Sequence, residues 1–193
     1  MKRDSFPERR VVVTGIGLVS PLGTGTDKTW QALLRGESGV AALTHFDASR
    51  YSTRIGGEVK DFDPLVFIDR KEIRKMDLFI RFALAAAELA VADSGIDRDD
   101  LRSDRAGTYV GSGIGGMGSI EENHKVLLEK GPDRVSPFFL VQTIINEASG
   151  QISIRYGVKG PNCANATACS TGTHAIGDSF RIIGRGDADV MIA

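Results

Sequence analysis

Residues 162–193 read NCANATACSTGTHAIGDSFRIIGRGDADVMIA, and this stretch decides the fold. Residues 162–168 suit a strand, 170–185 a helix that starts among small hydroxyl residues, and 188–193 (ADVMIA) an apolar strand again. Further back, 140–156 predicts a helix ended by Gly157, 119–130 a polar-faced helix, and 106–111 (AGTYVG) a short strand. The run LFIRFALAAAELAVADSG after Asp77 predicts a long helix stopped by Gly95, and its near-continuous apolar, alanine-rich character places it inside the molecule. Residues 37–70 are mixed, with a short strand expected at 55–59. Thr26 or Asp27 can cap a helix over 28–35 that stops at Gly36, and 10–16 (RVVVTGI) predicts a buried strand. Strands alternating with helices imply an α/β protein with a largely parallel sheet.

Composition agrees with a packed domain. Hydrophobic residues make up 41% and charged residues 25% of 193 residues, which excludes disorder and allows a core. A formal net charge of −1 argues against nucleic-acid binding by bulk charge, and no apolar run approaches the ~20 residues of a membrane helix. Behind the basic start MKRDSFPERR the apolar run is only Val11 to Val13, too short for a signal-peptide core, so a cytoplasmic location is expected. Glycine, at 23 of 193, is about 12% against a usual ~7%, which points to sharp turns and close backbone approach. The chain stops at Ala193 within an apolar strand, so it reads as part of something longer.

Two stretches invite chemistry. Gly111-x-Gly113-x-x-Gly116 follows a strand, as in dinucleotide sites, but no second strand ending in an acidic residue follows; a tight turn where backbones pack closely is the better reading. Thr167-Ala168-Cys169-Ser170-Thr171-Gly172 joins a strand to a helix. A cysteine there meets the positive end of the helix dipole, which favours thiolate over thiol, and a sharp turn would expose it as a nucleophile. The other cysteine, Cys163, is six positions away, ~20 Å along an extended chain, so no disulfide is expected. His174 lies more than a turn beyond Cys169 and reads as a helix-packing residue rather than a base. His45 and His124 have no ligand-spaced partners, so no metal is expected. Arg70, Lys71, Arg74 and Lys75 form a compact basic patch suited to an acidic partner.

VVVTGIGLVSPLG, RKMD, GSGIGG, ENH, SPFF and TACSTGTHAIGDSFRII, in this order, resemble the β-ketoacyl-acyl-carrier-protein synthases, most of all the synthase II type of the thiolase-like superfamily, over residues 9–193. The resemblance implies the N-terminal half of a thiolase-like α/β fold across 1–193, with a mostly parallel mixed sheet and a buried alanine-rich helix. It implies that Cys169 receives the acyl chain as a thioester and that its N–H is one oxyanion donor. It also implies that Ile114 lines the acyl pocket, with Phe139 and Leu140 near the pocket floor and the dimer contact. Lys71, Arg74 and Lys75 then face acyl carrier protein, carrying acyl or malonyl groups, and 162–168 pairs across a homodimer axis. Neither metal nor nicotinamide is implied. The family's two pocket histidines, its lysine and the second oxyanion donor have no counterparts here, so condensation by this chain alone is not expected. Val141 and Glu147 depart from the usual proline and apolar residue. A polyketide ketosynthase, a non-catalytic partner subunit of the chain-length-factor kind and an inactive fragment remain alternatives; the retained Cys169 weighs against the second.

Overall fold

A computed structural model describes residues 9–193, leaving residues 1–8, most of the basic start, outside the described part. Its centre is a three-stranded parallel sheet in the order β6-β5-β7, built from β5 (Ala106–Tyr109), β6 (Asn162–Cys163) and β7 (Val190–Ile192). Thr108 pairs with Asn162 on one side and Ile192 on the other, which fixes the register on both edges of β5. The expected strand at 162–168 is therefore only two residues long. Beyond Cys163 the chain leaves the ladder and turns into a single 3₁₀ turn, Ala168–Ser170.

The buried helix is α3 (Leu78–Ser94), which begins after Asp77 and ends on Gly95 in the left-handed conformation, φ 67°. Ile80, Leu84, Ala87 and Val91 recur along it at helical spacing and join Met76, Leu101, Ile152, Tyr156 and Val158 in the core. Its alanines serve a second purpose. The segment around Gly17 crosses so close to the α3 backbone that a Cβ there would collide with the Ala86 carbonyl oxygen. Ahead of α3 lies the short helix α2 (Arg70–Ile73). Arg81 clamps the corner between them, donating to the carbonyls of Ile73 and Met76 at 2.9 Å each. Partial burial lowers the pKa of this guanidinium.

Two expectations fail here. Residues 10–16 form no strand. Val12 and Val13 are exposed, and the segment is held by Ile16 N donating to Asp93 and by the Thr26 hydroxyl donating to the Ile16 carbonyl. The β-branched run has strand propensity, but no neighbouring strand pairs with it among the described residues. The helix expected over 140–156 is two helices, α5 (Phe139–Thr143) and α6 (Glu147–Tyr156), broken where Ile144 takes extended ψ 140°. The break frees the Thr143 carbonyl to accept Gly116 N at 3.1 Å, so the glycine-rich loop docks into the interrupted helix. Gly157, φ 68°, ends α6 as expected.

The remaining elements lie around this frame. β1 (Val19–Ser20) and β2 (Gly23–Thr24) make a small antiparallel pair before α1 (Thr26–Leu34). β3 (Val40–Ala42) and β4 (Ile55–Gly57) form a second antiparallel ribbon, of which only the latter strand was expected. Two helices follow β5 and β6: α4 (Met117–Lys130), and α7 (Thr171–Gly184), which leads into β7. Among the described residues no helix is long and apolar enough to cross a membrane.

Candidate active site

The strand-to-helix turn that carries Cys169 is strained. Ala168 has φ 51°, the only non-glycine residue with positive φ among the described residues. Cys169 follows it within the 3₁₀ turn, one residue ahead of the α7 N-cap, Ser170, and its side chain is exposed; Cys163 is half-buried in β6, and both thiols are free. Hydrogen bonds close the turn from both ends. Thr167 N donates to Thr171 Oγ1 at 3.0 Å, the Thr171 hydroxyl donates to the Ala168 carbonyl at 2.7 Å, and Ser170 donates to the Thr167 carbonyl from N at 3.1 Å and Oγ at 2.7 Å.

The glycine motif is built against this turn. A side chain at Gly111 would overlap the Asn165 carbonyl oxygen, and one at Gly116 the Gln142 carbonyl oxygen. At Gly113 the added Cβ would sit 3.9 Å from the Ala168 Cα. The spacing therefore serves close backbone packing, as read from the sequence, and sets the loop directly beside the thiol-bearing turn. Ile114, on that loop, is 64% exposed. Phe139 and Leu140 lie on α5, which packs on α4 and α6, and Leu140 is exposed. Glu147 opens α6, where a carboxylate meets the positive end of the helix, and accepts from Gln151 at 3.2 Å.

A polar chain next to Cys169 was not read from the sequence. His174 Nδ1 lies 3.3 Å from the Thr167 hydroxyl, and its Nε2 lies 3.0 Å from Asp178 Oδ2. Tyr109 Oη donates to the same Asp178 oxygen at 3.1 Å, and Arg181 to the other at 3.2 Å. Burial pushes the Asp178 carboxyl up, but the Tyr109 hydroxyl, the His174 ring and Arg181 together outweigh it and hold it below the ordinary carboxylate range. Burial, and then the neighbouring carboxylate, raise the Tyr109 phenol. His174 is thus exposed and polar-bonded rather than packed on its helix. Its i,i+4 spacing to Asp178 was the one sequence signal available.

The basic patch is less uniform than its sequence suggests. Lys71 and Arg74 line an open groove of about 680 Å³ with Asp63, Pro64, Leu65, Arg70 and Ile73. Lys75 instead bonds both Glu72 oxygens at 2.9 and 3.0 Å and sits 5.9 Å over the Phe138 ring. The Arg74 carbonyl accepts from Gln142 at 3.0 Å, tying the patch to α5.

The α/β frame with its parallel three-stranded sheet is that of the thiolase-like ketosynthases. The chain belongs to the β-ketoacyl synthase family: residues 8–193 match the model for "Beta-ketoacyl synthase, N-terminal domain". It is 52% identical over 186 residues to 3-oxoacyl-[acyl-carrier-protein] synthase 2 of Coxiella burnetii, covering 96% of this chain and 45% of that one. Its identity to the synthase 2 of Vibrio harveyi is 50% over 186 residues, with the same coverage, and to that of Staphylococcus aureus (strain N315) 49% over 184 residues, covering 95% and 44%. The chain spans about half the length of the curated relatives it matches. Among solved structures, the ishigamide ketosynthase/chain length factor superposes with a TM-score of 0.83 at 30% identity, covering 93% of this chain and 45% of that one. A type II polyketide acyl-carrier protein in complex with its ketosynthase bound to the hexaketide gives 0.80 at 28% identity, covering 95% and 49%.

Proposed function

We propose that Cys169 is the acyl-accepting nucleophile of a 3-oxoacyl-acyl-carrier-protein synthase of fatty-acid elongation. The observation that carries this is the exposed thiol on a strained turn at the start of α7, in a chain about half identical to three synthase 2 proteins. Sγ attacks the thioester carbonyl carbon of an acyl-carrier protein, the carbon–sulfur bond to the carrier breaks, and the carrier thiol takes the proton. Malonyl-carrier protein then loses carbon dioxide, its carbanion attacks the acyl-cysteine carbonyl, and the Cys169 thiolate leaves, giving a 3-oxoacyl chain two carbons longer. The Cys169 N–H supports the charge on the carbonyl oxygen. Ile114 borders the acyl chain, with Phe139 and Leu140 near the pocket floor. A polyketide role has the solved ketosynthases in its favour, but their identity, 28–30%, is well below that of the fatty-acid relatives.

The partners follow from the same reading. An acidic carrier protein docks on Lys71 and Arg74 at the groove, with Lys75 as the most compensated member of the patch. A homodimer is supported by β6, which is an edge strand, and by the exposed Ile176 and Phe180 of α7. The enzyme works in the cytoplasm.

The test uses radiolabelled acyl-carrier protein and the purified chain. Weak labelling that disappears in Cys169→Ser and survives in Cys163→Ser is expected, with no release of carbon dioxide from malonyl-carrier protein. Label on Cys163, or label that survives Cys169→Ser, would overturn the assignment.

A further inference from the structure

We infer that His174 is a positioning residue that braces the Cys169 turn through the Thr167 hydroxyl. This rests on the nucleophile assignment proposed for Cys169. Asp178 stands 3.0 Å from Nε2, and an anion at that distance favours the proton on Nε2. Nδ1 is left as an acceptor for the Thr167 hydroxyl at 3.3 Å, and Thr167 Oγ1 in turn accepts from Asn165 Nδ2 at 3.2 Å. Every link has one donor and one acceptor, and the donors on both sides point toward the Asp178 carboxylate. The hydrogen-bonded chain runs from Tyr109 and Arg181 through Asp178 and His174 to the residue immediately before Ala168.

The placement matters because Ala168 holds a conformation that a non-glycine residue keeps only when its surroundings over-determine it. The carbonyl of Thr167 already receives Ser170 N and Oγ, and its N–H goes to Thr171, so its side chain is the one remaining handle on the turn. His174 grips that handle from the first turn of α7, the helix that begins just after the 3₁₀ turn carrying Cys169. The brace therefore links the helix to the strained residue and keeps Sγ at the helix start. His174 exchanges no proton with substrate in this scheme; it acts on Cys169 only through Thr167.

Iodoacetamide alkylation of the 193-residue chain, read by peptide mass analysis, tests the brace, with Cys163 as the control inside the same molecule. His174→Phe keeps ring bulk and removes the acceptor, and should slow Cys169 about fivefold, the worth of one hydrogen bond, while Cys163 is unchanged. Thr167→Val, which also removes the acceptor for Asn165, should slow Cys169 at least as much, and the double variant no more than Thr167→Val alone. His174→Asn, whose Oδ1 can take the place of Nδ1, should restore the rate to within about twofold. Unchanged Cys169 labelling in His174→Phe, an additive double variant, or failure of His174→Asn to restore the rate would each overturn the brace. A rise in Cys163 labelling would also overturn it, by showing a general loss of structure. If Cys169 in the unaltered chain is no faster than Cys163, the nucleophile assignment falls as well; a fast Cys169 indifferent to His174→Phe sinks the brace alone.

Discussion

The carboxylate of Asp77 caps α4, although the residue itself stands at the N-cap of α3. Its Oδ2 accepts from Ser119 N at 2.9 Å and Ser119 Oγ at 2.6 Å, and it makes no side-chain bond to its own helix. One residue thus joins the starts of two helices, and α4 carries the glycine loop's exit. Asp77→Ala should lower the urea unfolding free energy by about 1–2 kcal/mol, the usual cost of a lost cap, whereas Asp77→Asn, which keeps an acceptor, should lose less than half of that. Equal losses in the two variants would mean that charge, and not the hydrogen bonds, holds the contact.

The groove beside α2 leads to an ordered expectation for carrier-protein binding. Lys71→Glu with Arg74→Glu should weaken binding on the order of tenfold at low ionic strength, with the gap closing as salt screens the attraction. Lys75→Ala should cost less than about threefold, because its charge already faces Glu72 and a half-exposed pair contributes ~0–1 kcal/mol. Titration by calorimetry at two salt concentrations checks both. A Lys75 effect as large as that of Lys71 would contradict this geometry.

How much of this was legible beforehand differs by element. The bounds of α3 and α7 followed from an Asp77 start, a Gly95 stop and helical apolar spacing, because those signals are local. The break at Ile144 was not legible, since Thr143-Ile144-Ile145 contains neither proline nor glycine and the carbonyl that it frees is taken by the sequence-distant Gly116 N–H. The 10–16 run shows the limit of propensity: β-branched residues favour extension, but a strand also needs a neighbour. At the candidate site, Cys169 and the glycine spacing could be read from the chain. The brace could be read only in part, because Tyr109 and Thr167 reach His174 and Asp178 through the fold.

Glu58 gives the loop after β3 an acid sensitivity. Its side chain is buried and accepts from Thr44 N and His45 N at 3.0 Å each and from the Thr44 hydroxyl at 2.8 Å. The His45 amide is the main cause that lowers its carboxyl to about 2, against the opposing effect of burial and with help from Thr44. A depressed carboxyl stabilises the fold fully above its unfolded value near 4.5, and that stability drains away as pH falls toward 2. Glu58→Gln should therefore unfold at lower urea than the unaltered chain at pH 7, with the difference shrinking by pH 2.5. A constant difference across that window would show that the carboxylate is not the source.

The strained Ala168 yields a trade-off. Glycine adopts φ near 51° without the steric penalty that an L-side chain meets there, a penalty of ~1–2 kcal/mol. Glycine also frees the unfolded chain, which offsets about 0.5–1 kcal/mol of that relief. The net expectation for Ala168→Gly is a stability equal to or above the starting chain by up to about 1 kcal/mol. Reactivity should move the other way. Without the Cβ the turn no longer has a single low-energy geometry, and the Thr167, Ser170 and Thr171 hydrogen bonds must hold Sγ alone. Iodoacetamide should therefore label Cys169 more slowly in Ala168→Gly, with Cys163 unchanged, while the urea midpoint holds or rises. A loss of more than about 1 kcal/mol would instead mean that packing of the Ala168 methyl outweighs the relief of backbone strain.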